Sequence, residues 1–557
     1  MARTALFGVL GPFVGAALAA VGCEATVIYI ETAAGTTTIT TTNSTTTSAS
    51  GGAGGALLCA PGATQPCYSG PAGTEGQGIC TAGAEVCAAD GMSWGACSGE
   101  VLPAVEDCAT AEDEDCDGLA PPCKGELLWA KRFGDIGDQR VTSVATDASG
   151  NVLITGSFAA AINFGGEPLI SAGGFPGSSD VFVAKLDSSG NHVWSKRFGD
   201  AAAQIGWGII MGPSGDVLVT GAFSGAIDFG GAPIVSTGTE DVFIAKLDSN
   251  GAHVWSKSFG VTALQKRPAM AVDGSGNVFL AGSFSGSVDF GGGPLTSAGS
   301  EDVYIVKLGA AGEHVWSMRA GDDESQAVTS LAVDGSGDLV VVGSFGGSLD
   351  LGGGALPSAV GISGFVAKLD AAGNHVWSKS FGVAGDFSLQ HPTSVAVGDD
   401  GEPVMTGYFS GSIDLGSGPL KTNAYSSFFL AKLDSAGHPV WGKSFGDAGD
   451  QSAESVALDL FGNVVLTGYF HGQVDFGGGP IAEAGDGDVF VTKFDAGGGH
   501  LWGKRFGDGH GQAGRSVASG ASGDVLIIGD FGGTVDFGGG PLGPAGGLDV
   551  FVARFSP

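Results

Sequence analysis

The sequence predicts an all-β protein, a seven-bladed β-propeller of four-stranded antiparallel blades that follows a small disulfide-rich module. A repeat of about 60 residues is the first observation, because such periods are typical of propellers and arrays. Glycine is the second: 103 of 557 residues are Gly without a three-residue period, which indicates many turns between short strands. The repeat is marked by Trp-x-Lys-x-Phe-Gly, with small variations, at Trp129, Trp194, Trp255, Trp316, Trp377, Trp441 and Trp502.

One unit shows how the strands are arranged. Residues 268–273, 277–284, 302–308 and 314–319 are short apolar or alternating runs, each bounded by Gly, Ser, Asp or Asn. Runs of this length between turn residues are predicted to be strands. Four such strands in each of seven units predict one propeller blade per unit.

The two ends of the repeat region predict how the ring closes. The last unit, 515–555, has three strands and then the chain stops, whereas the first begins with a lone fourth strand at 127–133. An unclosed ring would leave a bare sheet edge, so we expect the N-terminal strand to complete the last blade. The propeller is therefore predicted over 127–557.

The N-terminus predicts export. Arg3 and an apolar run shorter than the ~20 residues of a spanning helix predict a signal peptide over 1–22. The run ends in Ala-Val-Gly-Cys23, which resembles the lipobox of bacterial lipoproteins and implies that Cys23 carries a lipid. The alternative is an ordinary signal peptide with Cys23 incidental. Residues 23–56, rich in Thr, Ser and Gly, are predicted to be a lipid-anchored flexible linker.

Residues 57–123 are predicted to form a Cys-rich acidic module. They are too few and too polar for a good core, so disulfides are expected to staple them. Eight Cys allow 105 pairings, among which the sequence does not choose. The disulfide candidates are Cys59, Cys67, Cys80, Cys87, Cys97, Cys108, Cys116 and Cys123.

This module also carries a candidate calcium site. Asp113, Asp115 and Asp117 alternate in a stretch with seven carboxylates in twelve residues, and hard cations prefer several oxygen ligands on a turn-rich loop. The stretch resembles the Asp-rich Cys modules of secreted bacterial proteins to which metal binding is ascribed. The alternative is a solvated acidic loop that binds nothing. Calcium is the one cofactor that the sequence suggests.

The repeats resemble the SBBP-type β-propeller repeats of bacterial secreted proteins and lipoproteins over about 127–557. This resemblance implies a fold and an extracytoplasmic address, at the outer membrane or cell surface, with a periplasmic or secreted protein as the alternative. It implies no reaction, because the family has no common activity. We expect a monomeric, non-enzymatic binding or scaffold protein; the alternative is a quinoprotein-like or lyase-like propeller enzyme.

Charge limits the choice of partners. The chain has 58 Asp and Glu against 24 Lys and Arg, a formal net charge of −34. Nucleic acid and anionic membrane surfaces both favour basic patches, so neither is expected as a partner, and membrane contact is expected only through the lipid. A glycan or an envelope protein remains as the expected partner.

Repeated polar residues are the candidates for a binding face. We interpret the repeat tryptophans as packing residues, and the cation that recurs on each third strand, Lys368 for example, as a solvated group protecting a strand. One Gln per unit lies before the first strand, where seven amides would ring the channel mouth; the alternative is that each bonds to backbone. Departures from the repeat, such as Trp207 and His391, are further candidates. The Gln candidates are Gln139, Gln204, Gln265, Gln326, Gln390, Gln451 and Gln512.

Overall fold

The structure is a computed structural model. It describes residues 17–21, 24–33, 36–42, 58–71, 73–103, 113, 116, 125–135, 137–173, 178–260, 265–356, 358, 361–383, 388–416, 418–422, 425–446 and 449–557, with backbone only over 17–42 and 265–267. Two compact units are present: Met1–Cys67 with Ala84–Ser98, and Tyr68–Gly83 with Gly99–Pro557. The Cys-rich region contributes residues to both units. The single module over 57–123 stays a prediction.

The N-terminal unit contains an antiparallel meander. Its strands are Ala17–Val21, Glu24–Ala33 and Thr36–Thr42, paired in that order. The second and third strands are rich in β-branched Thr, Val and Ile, which favour strand pairing. The leader over 1–22 and the flexible linker over 23–56 stay predictions. Cys23 lies outside the described residues.

Three disulfides join the described cysteines of the Cys-rich region. Its two strands, Thr64–Cys67 and Gly83–Val86, pair with each other. So much disulfide in so few residues is typical of exported proteins in an oxidising compartment. Of the candidates, Cys108 and Cys123 lie outside the described residues. The disulfides are Cys59–Cys87, Cys67–Cys97 and Cys80–Cys116.

The rest of the chain is the predicted propeller of seven four-stranded antiparallel sheets. The first strands are Gln139–Thr146, Gln204–Met211, Gln265–Val272, Gln326–Val333, Leu389–Val397, Gln451–Leu458 and Gln512–Ser519. The second strands are Val152–Phe158, Val217–Phe223, Val278–Phe284, Leu339–Phe345, Pro403–Ser410, Val464–Phe470 and Val525–Phe531. The third strands are Asp180–Leu186, Asp241–Leu247, Asp302–Leu308, Ser363–Leu369, Ser427–Leu433, Asp488–Phe494 and Asp549–Phe555. The fourth strands of blades 1 to 6 are His192–Phe198, His253–Phe259, His314–Ala320, His375–Ser380, Pro439–Phe445 and His500–Phe506.

The ring closes as the sequence predicts. Leu127–Phe133 pairs with Asp549–Phe555 and is the fourth strand of blade 7. Each first strand contacts the first strands of both neighbouring blades, so the first strands line the centre and the fourth strands form the rim. No helix that could span a membrane occurs among the residues that the structure describes.

A small hairpin lies between the second and third strands of five blades. The side-chain oxygen of an Asp, or of Asn163 in blade 1, holds its turn by accepting from backbone amides. In blade 3, Asp289 Oδ1 accepts from Gly291 N at 2.7 Å and Gly293 N at 3.1 Å. Blades 4 and 7 have single bridges at the same place, Leu349 with Leu356 and Val535 with Leu542. The hairpin strands are Ala161–Ile162, Leu169–Ile170, Ala226–Ile227, Ile234–Val235, Ser287–Asp289, Pro294–Thr296, Ser412–Asp414, Pro419–Lys421, Gln473–Asp475 and Pro480–Ala482.

Each repeat tryptophan joins its blade to the next one. Trp316 on the rim of blade 3 donates its indole N–H to Ala371 O, 3.3 Å away in the third-to-fourth-strand turn of blade 4. Gly373 of that turn has a φ of +85° and lies against the same ring, so close that a Cβ would be 3.1 Å from it. Glycine is therefore required at this position for two reasons, its backbone conformation and its lack of a side chain.

The repeated cation on each third strand is buried, not solvated. Lys368 Nζ lies 2.7 Å from Asp334 Oδ2, and only 7% and 3% of the two side chains are exposed. The interpretation of this position as a solvated strand-protecting group was therefore wrong, because the third strand lies inside the blade. The other pairs are Lys185–Asp147, Lys246–Asp216, Lys307–Asp273, Lys432–Glu402, Lys493–Asp459 and Arg554–Asp524.

A His–Ser pair closes the rim of blades 1 to 4. In blade 3, His314 Nε2 lies 3.0 Å from Ser317 Oγ, and the ring packs under Gly292 of the small hairpin. Blade 7 has Leu127 and Ala130 at the two equivalent positions, so an apolar pair also fits this place.

We predict that Ser317→Ala lowers the free energy of unfolding by about 1–2 kcal/mol, because it leaves a half-buried His nitrogen without its partner. The double variant His314→Leu with Ser317→Ala copies blade 7 and should recover most of that loss. Denaturant unfolding of both variants measures this. A double variant less stable than the single one contradicts the argument.

Candidate functional site

The repeated glutamines do not face the channel. Every one of them whose side chain the structure describes is buried, at 0–3% exposure, whereas Gln265 is described by its backbone alone. Gln204 shows the shared role: its Nε2 donates to Ser224 O at 3.0 Å and to Asp200 Oδ1 at 2.8 Å, within its own blade. The predicted ring of seven amides at the channel mouth is therefore not formed by the described side chains. The polar end of each amide bonds instead to the loops that flank the first strand.

A β-bulge follows three residues after each of these glutamines. In blade 2 the ladder between the first and second strands skips Trp207, because Gly206 and Gly208 pair with consecutive residues of the partner strand. Bulges re-aim side chains and are common at functional sites. The residues at the bulges of blades 1 to 7 are Thr142, Trp207, Pro268, Thr329, Thr393, Glu454 and Arg515.

Threonine at this position has a structural task. Thr142, Thr329 and Thr393 donate their hydroxyls to backbone carbonyls of the following blade, at 2.8, 2.7 and 2.6 Å. Trp207, Pro268, Glu454 and Arg515 cannot make the same bond. At these four positions the repeat therefore lacks the threonine hydrogen bond that joins neighbouring blades elsewhere.

All seven bulge residues line one central cavity of about 1110 Å³. A volume of this size suits a ligand of a few sugar or amino-acid units. The described side chains on the wall formed by blades 2 to 4 are mostly apolar or small, with Ile205, Trp207, Pro268, Ala327 and Val328. The wall formed by blades 5 to 7 is aromatic and charged, so the cavity has two chemically different sides.

Two tyrosines and a histidine form the aromatic part of the charged wall. Tyr408 and Tyr469 occupy the same position on the second strands of blades 5 and 6, one residue before the strand's Phe. The His391 ring stacks on Tyr408, with centroids 5.0 Å apart and planes 5° from parallel. Burial, and after it the charges of Asp450 and Glu454, raises the pKa of Tyr469 to about 12.

The charged part of this wall comes from blades 6 and 7. Arg515 donates from Nε to Asp530 Oδ1 at 2.7 Å and from Nη2 to Oδ2 at 3.0 Å. These hydrogen bonds raise the pKa of Arg515. Ser452 Oγ donates to Glu454 Oε1 at 2.8 Å and orients that carboxylate at its bulge. Arg515 and Asp530 thus neutralise each other, while Glu454 adds negative charge.

The candidate calcium ligands are only partly described. Asp113 is described, and its backbone O accepts a hydrogen bond from Ile79 N at 3.1 Å, whereas Asp115 and Asp117 lie outside the described residues. Across the part of the chain that the structure describes, no three His, Cys, Asp or Glu side chains gather as metal ligands. A calcium site in this stretch stays a prediction.

Sequence reasoning found part of the cavity. Trp207 and His391, singled out as departures from the repeat, both line it. Glu454, Arg515 and Asp530 were missed. The signal for the first two was present: they are the residues three positions after Gln451 and Gln512, where other units have Thr, so a column-by-column comparison of the units would have found them.

Comparisons with known proteins agree with the fold and leave the family open. No family model matches the chain. A WD repeat-containing protein of Acanthamoeba polyphaga mimivirus is 21% identical over 73% of this chain and 36% of its own length. The regulatory protein FlaEY of Caulobacter vibrioides is 27% identical over 32% of this chain and 20% of its own length. The chain thus spans about a third of the first relative and a fifth of the second.

Several solved structures are similar at low identity. Sqt1 from Chaetomium thermophilum is 13% identical, with a TM-score of 0.39, over 78% of this chain and 99% of its own. A glucose dehydrogenase is 11% identical, with a TM-score of 0.31, over 76% and 98%. An ulvan lyase is 9% identical, with a TM-score of 0.37, over 72% and 93%. Enzymes and other proteins both occur among them, so neither class is favoured.

We predict that Glu454→Thr stabilises the protein by about 1 kcal/mol. By analogy with Thr393, the new hydroxyl should donate to Gly514 O of blade 7, and a hydrogen bond of this kind contributes roughly that amount. Thr393→Val is the matched control and should cost about as much. Thermal and denaturant unfolding of both variants measure this; no gain from the first, with a loss from the second, would show that Glu454 is itself structural.

Proposed function

We propose that this protein is an exported binding protein that holds a glycan in the central cavity of its propeller, without catalysis. The observation that carries the proposal is the broken symmetry of the bulge position. A structural bond repeats with the fold, whereas a binding site needs different groups at different places. Thr keeps the structural bond in blades 1, 4 and 5, and the exceptions include Trp207, Glu454 and Arg515.

The two walls suit a sugar. The C–H face of a sugar ring packs on an aromatic ring, and Trp207 offers such a ring on the apolar wall. Sugar hydroxyls need donors and acceptors in fixed positions, and Glu454, Tyr469 and Asp530 offer them on the charged wall. A cavity of about 1110 Å³ has room for a short oligosaccharide.

The titrating groups support binding rather than catalysis. A general acid or base is most effective when its pKa lies near the working pH. The pKa of Tyr469 is raised to about 12, mainly by burial, which makes its phenol a weak acid at neutral pH. Arg515 and Asp530 are already paired with each other.

Export and anchoring complete the proposal. The disulfides Cys59–Cys87, Cys67–Cys97 and Cys80–Cys116 suit an oxidising compartment. The lipobox-like Ala-Val-Gly-Cys23 supplies an anchor in the membrane. We propose that the propeller is displayed from this anchor, at the cell surface or in the periplasm.

Thermal melts of the full chain with a panel of short envelope and extracellular oligosaccharides test the binding proposal. A ligand that binds only the native state raises the melting temperature by mass action. We expect one glycan class to do so, and Trp207→Ala to weaken its affinity about tenfold or more. Leu460→Ala, in an exposed turn outside the cavity, is the control and should bind normally. A Trp207→Ala variant that folds and binds as well as the parent places the ligand elsewhere.

Metabolic labelling with a radioactive fatty acid tests the anchor. We expect the chain expressed in a bacterial host to incorporate label and to fractionate with membranes, and Cys23→Ser to lose both. Cys23 is the one Cys before residue 59, so the variant leaves the disulfide candidates untouched. Labelling that persists in Cys23→Ser rules out this site of lipidation.

A further inference from the structure

Among the lining side chains that the structure describes, carboxylates outnumber guanidinium groups, and the two cations are not equivalent. The carboxylates are Asp138, Glu454 and Asp530, and the guanidinium groups are those of Arg140 and Arg515. Arg515 is held by both oxygens of Asp530, through Nε and Nη2. A bidentate pair of this kind neutralises its cation and fixes its donors, so Arg515 is a poor site for an anionic ligand.

Negative potential is concentrated on the wall of blades 5 and 6. Glu454 stands at its bulge with Ser452 bonded to one oxygen. Asp450 and Glu454 both act on the phenols of Tyr408 and Tyr469, where after burial they contribute to the raised pKa of each. Aromatic rings also attract cations through the ring quadrupole. Glu454, Tyr408 and Tyr469 line the same side of the cavity, and this combination suits a positive group.

On this basis, and resting on the proposed glycan function, we propose that the ligand is an amino sugar whose free, protonated amine lies against Glu454 and the tyrosines of blades 5 and 6. Trp207 on the opposite wall would pack against the sugar ring. The whole chain agrees in sign, because a formal net charge of −34 attracts cations over a longer range. Arg140, exposed in blade 1, opposes the amine and, among the described guanidinium groups of the lining, is the one without a carboxylate clamp like that of Arg515.

The test uses four tetrasaccharides of the same linkage, titrated calorimetrically into the full chain. They are β-1,4-linked glucosamine, its N-acetylated form, the neutral glucose tetramer and the corresponding glucuronic acid tetramer. We expect glucosamine to bind roughly tenfold more tightly than either uncharged tetramer, with a preference that weakens as salt rises. The glucuronic acid tetramer should bind most weakly.

Two variants, each of which replaces one charged side chain by a neutral polar one, test the role of charge. Glu454→Gln keeps an acceptor for Ser452 and should weaken the binding of glucosamine much more than that of the neutral tetramers, so that most of the preference for glucosamine is lost. Arg140→Gln removes the opposing charge and should strengthen glucosamine binding about two- to threefold. The rim variant His314→Leu with Ser317→Ala, remote from the cavity, controls for general effects on the fold.

The outcomes distinguish this inference from the function on which it rests. Equal binding of glucosamine and the neutral tetramers overturns the inference and leaves a glycan-binding cavity in place. Tightest binding of the glucuronic acid tetramer also overturns it and assigns recognition to Arg140. If none of the four tetrasaccharides gives a binding heat or raises the melting temperature, while a glycan of the broader panel does, the amino-sugar inference is wrong and the glycan function stands. If no glycan of either set binds, the proposed function is wrong as well.

Discussion

The ring depends on one joint, repeated at each blade boundary: an indole ring that lies under the turn glycine of the next blade. Its N–H donates to a carbonyl of that turn in six of the boundaries, at 2.9–3.3 Å. At two boundaries the same carbonyl also accepts a hydrogen bond from the third-strand lysine of the blade that carries the tryptophan. Ala371 O, for example, accepts from both Trp316 and Lys307. These two joints therefore connect the rim of one blade to a buried ion pair, and losing them would also disturb that ion pair.

The boundary between blades 6 and 7 differs from the other six because the ring closes in blade 7. Blade 7 takes its fourth strand from the N-terminal side of the propeller, so no third-to-fourth-strand turn covers Trp502. Gly125, just before the closing strand, lies against that ring instead. An open ring would expose a whole strand edge. The full ladder between 127–133 and 549–555 removes that edge.

The sequence predicts those parts of the molecule that repeat. Strand number, blade number and the closing strand all follow from the spacing of Trp and Gly, because a period of this kind leaves few other solutions. Whether a repeated polar residue is buried or exposed is harder to predict from the sequence. Gln204 and Lys368 recur in every unit with polar side chains, and a repeated polar residue has the same appearance whether it faces water or bonds inside the blade. Pairing of the cysteines depends on the path of a loop-rich chain, which no local pattern encodes.

The site was harder to predict for a related reason. A bulge is set by the register of two strands, and alternation of apolar and polar residues does not reveal where the ladder skips a residue. At these skips the hydroxyls of Thr142, Thr329 and Thr393 hold neighbouring blades together. The ring tolerates the absence of that bond at Trp207, Glu454 and Arg515 because the indole joints and the strand contacts still connect every pair of blades. Because other contacts already hold the blades together, a substitution at a bulge position lowers the stability of the fold only a little. Seven such positions surround a single cavity.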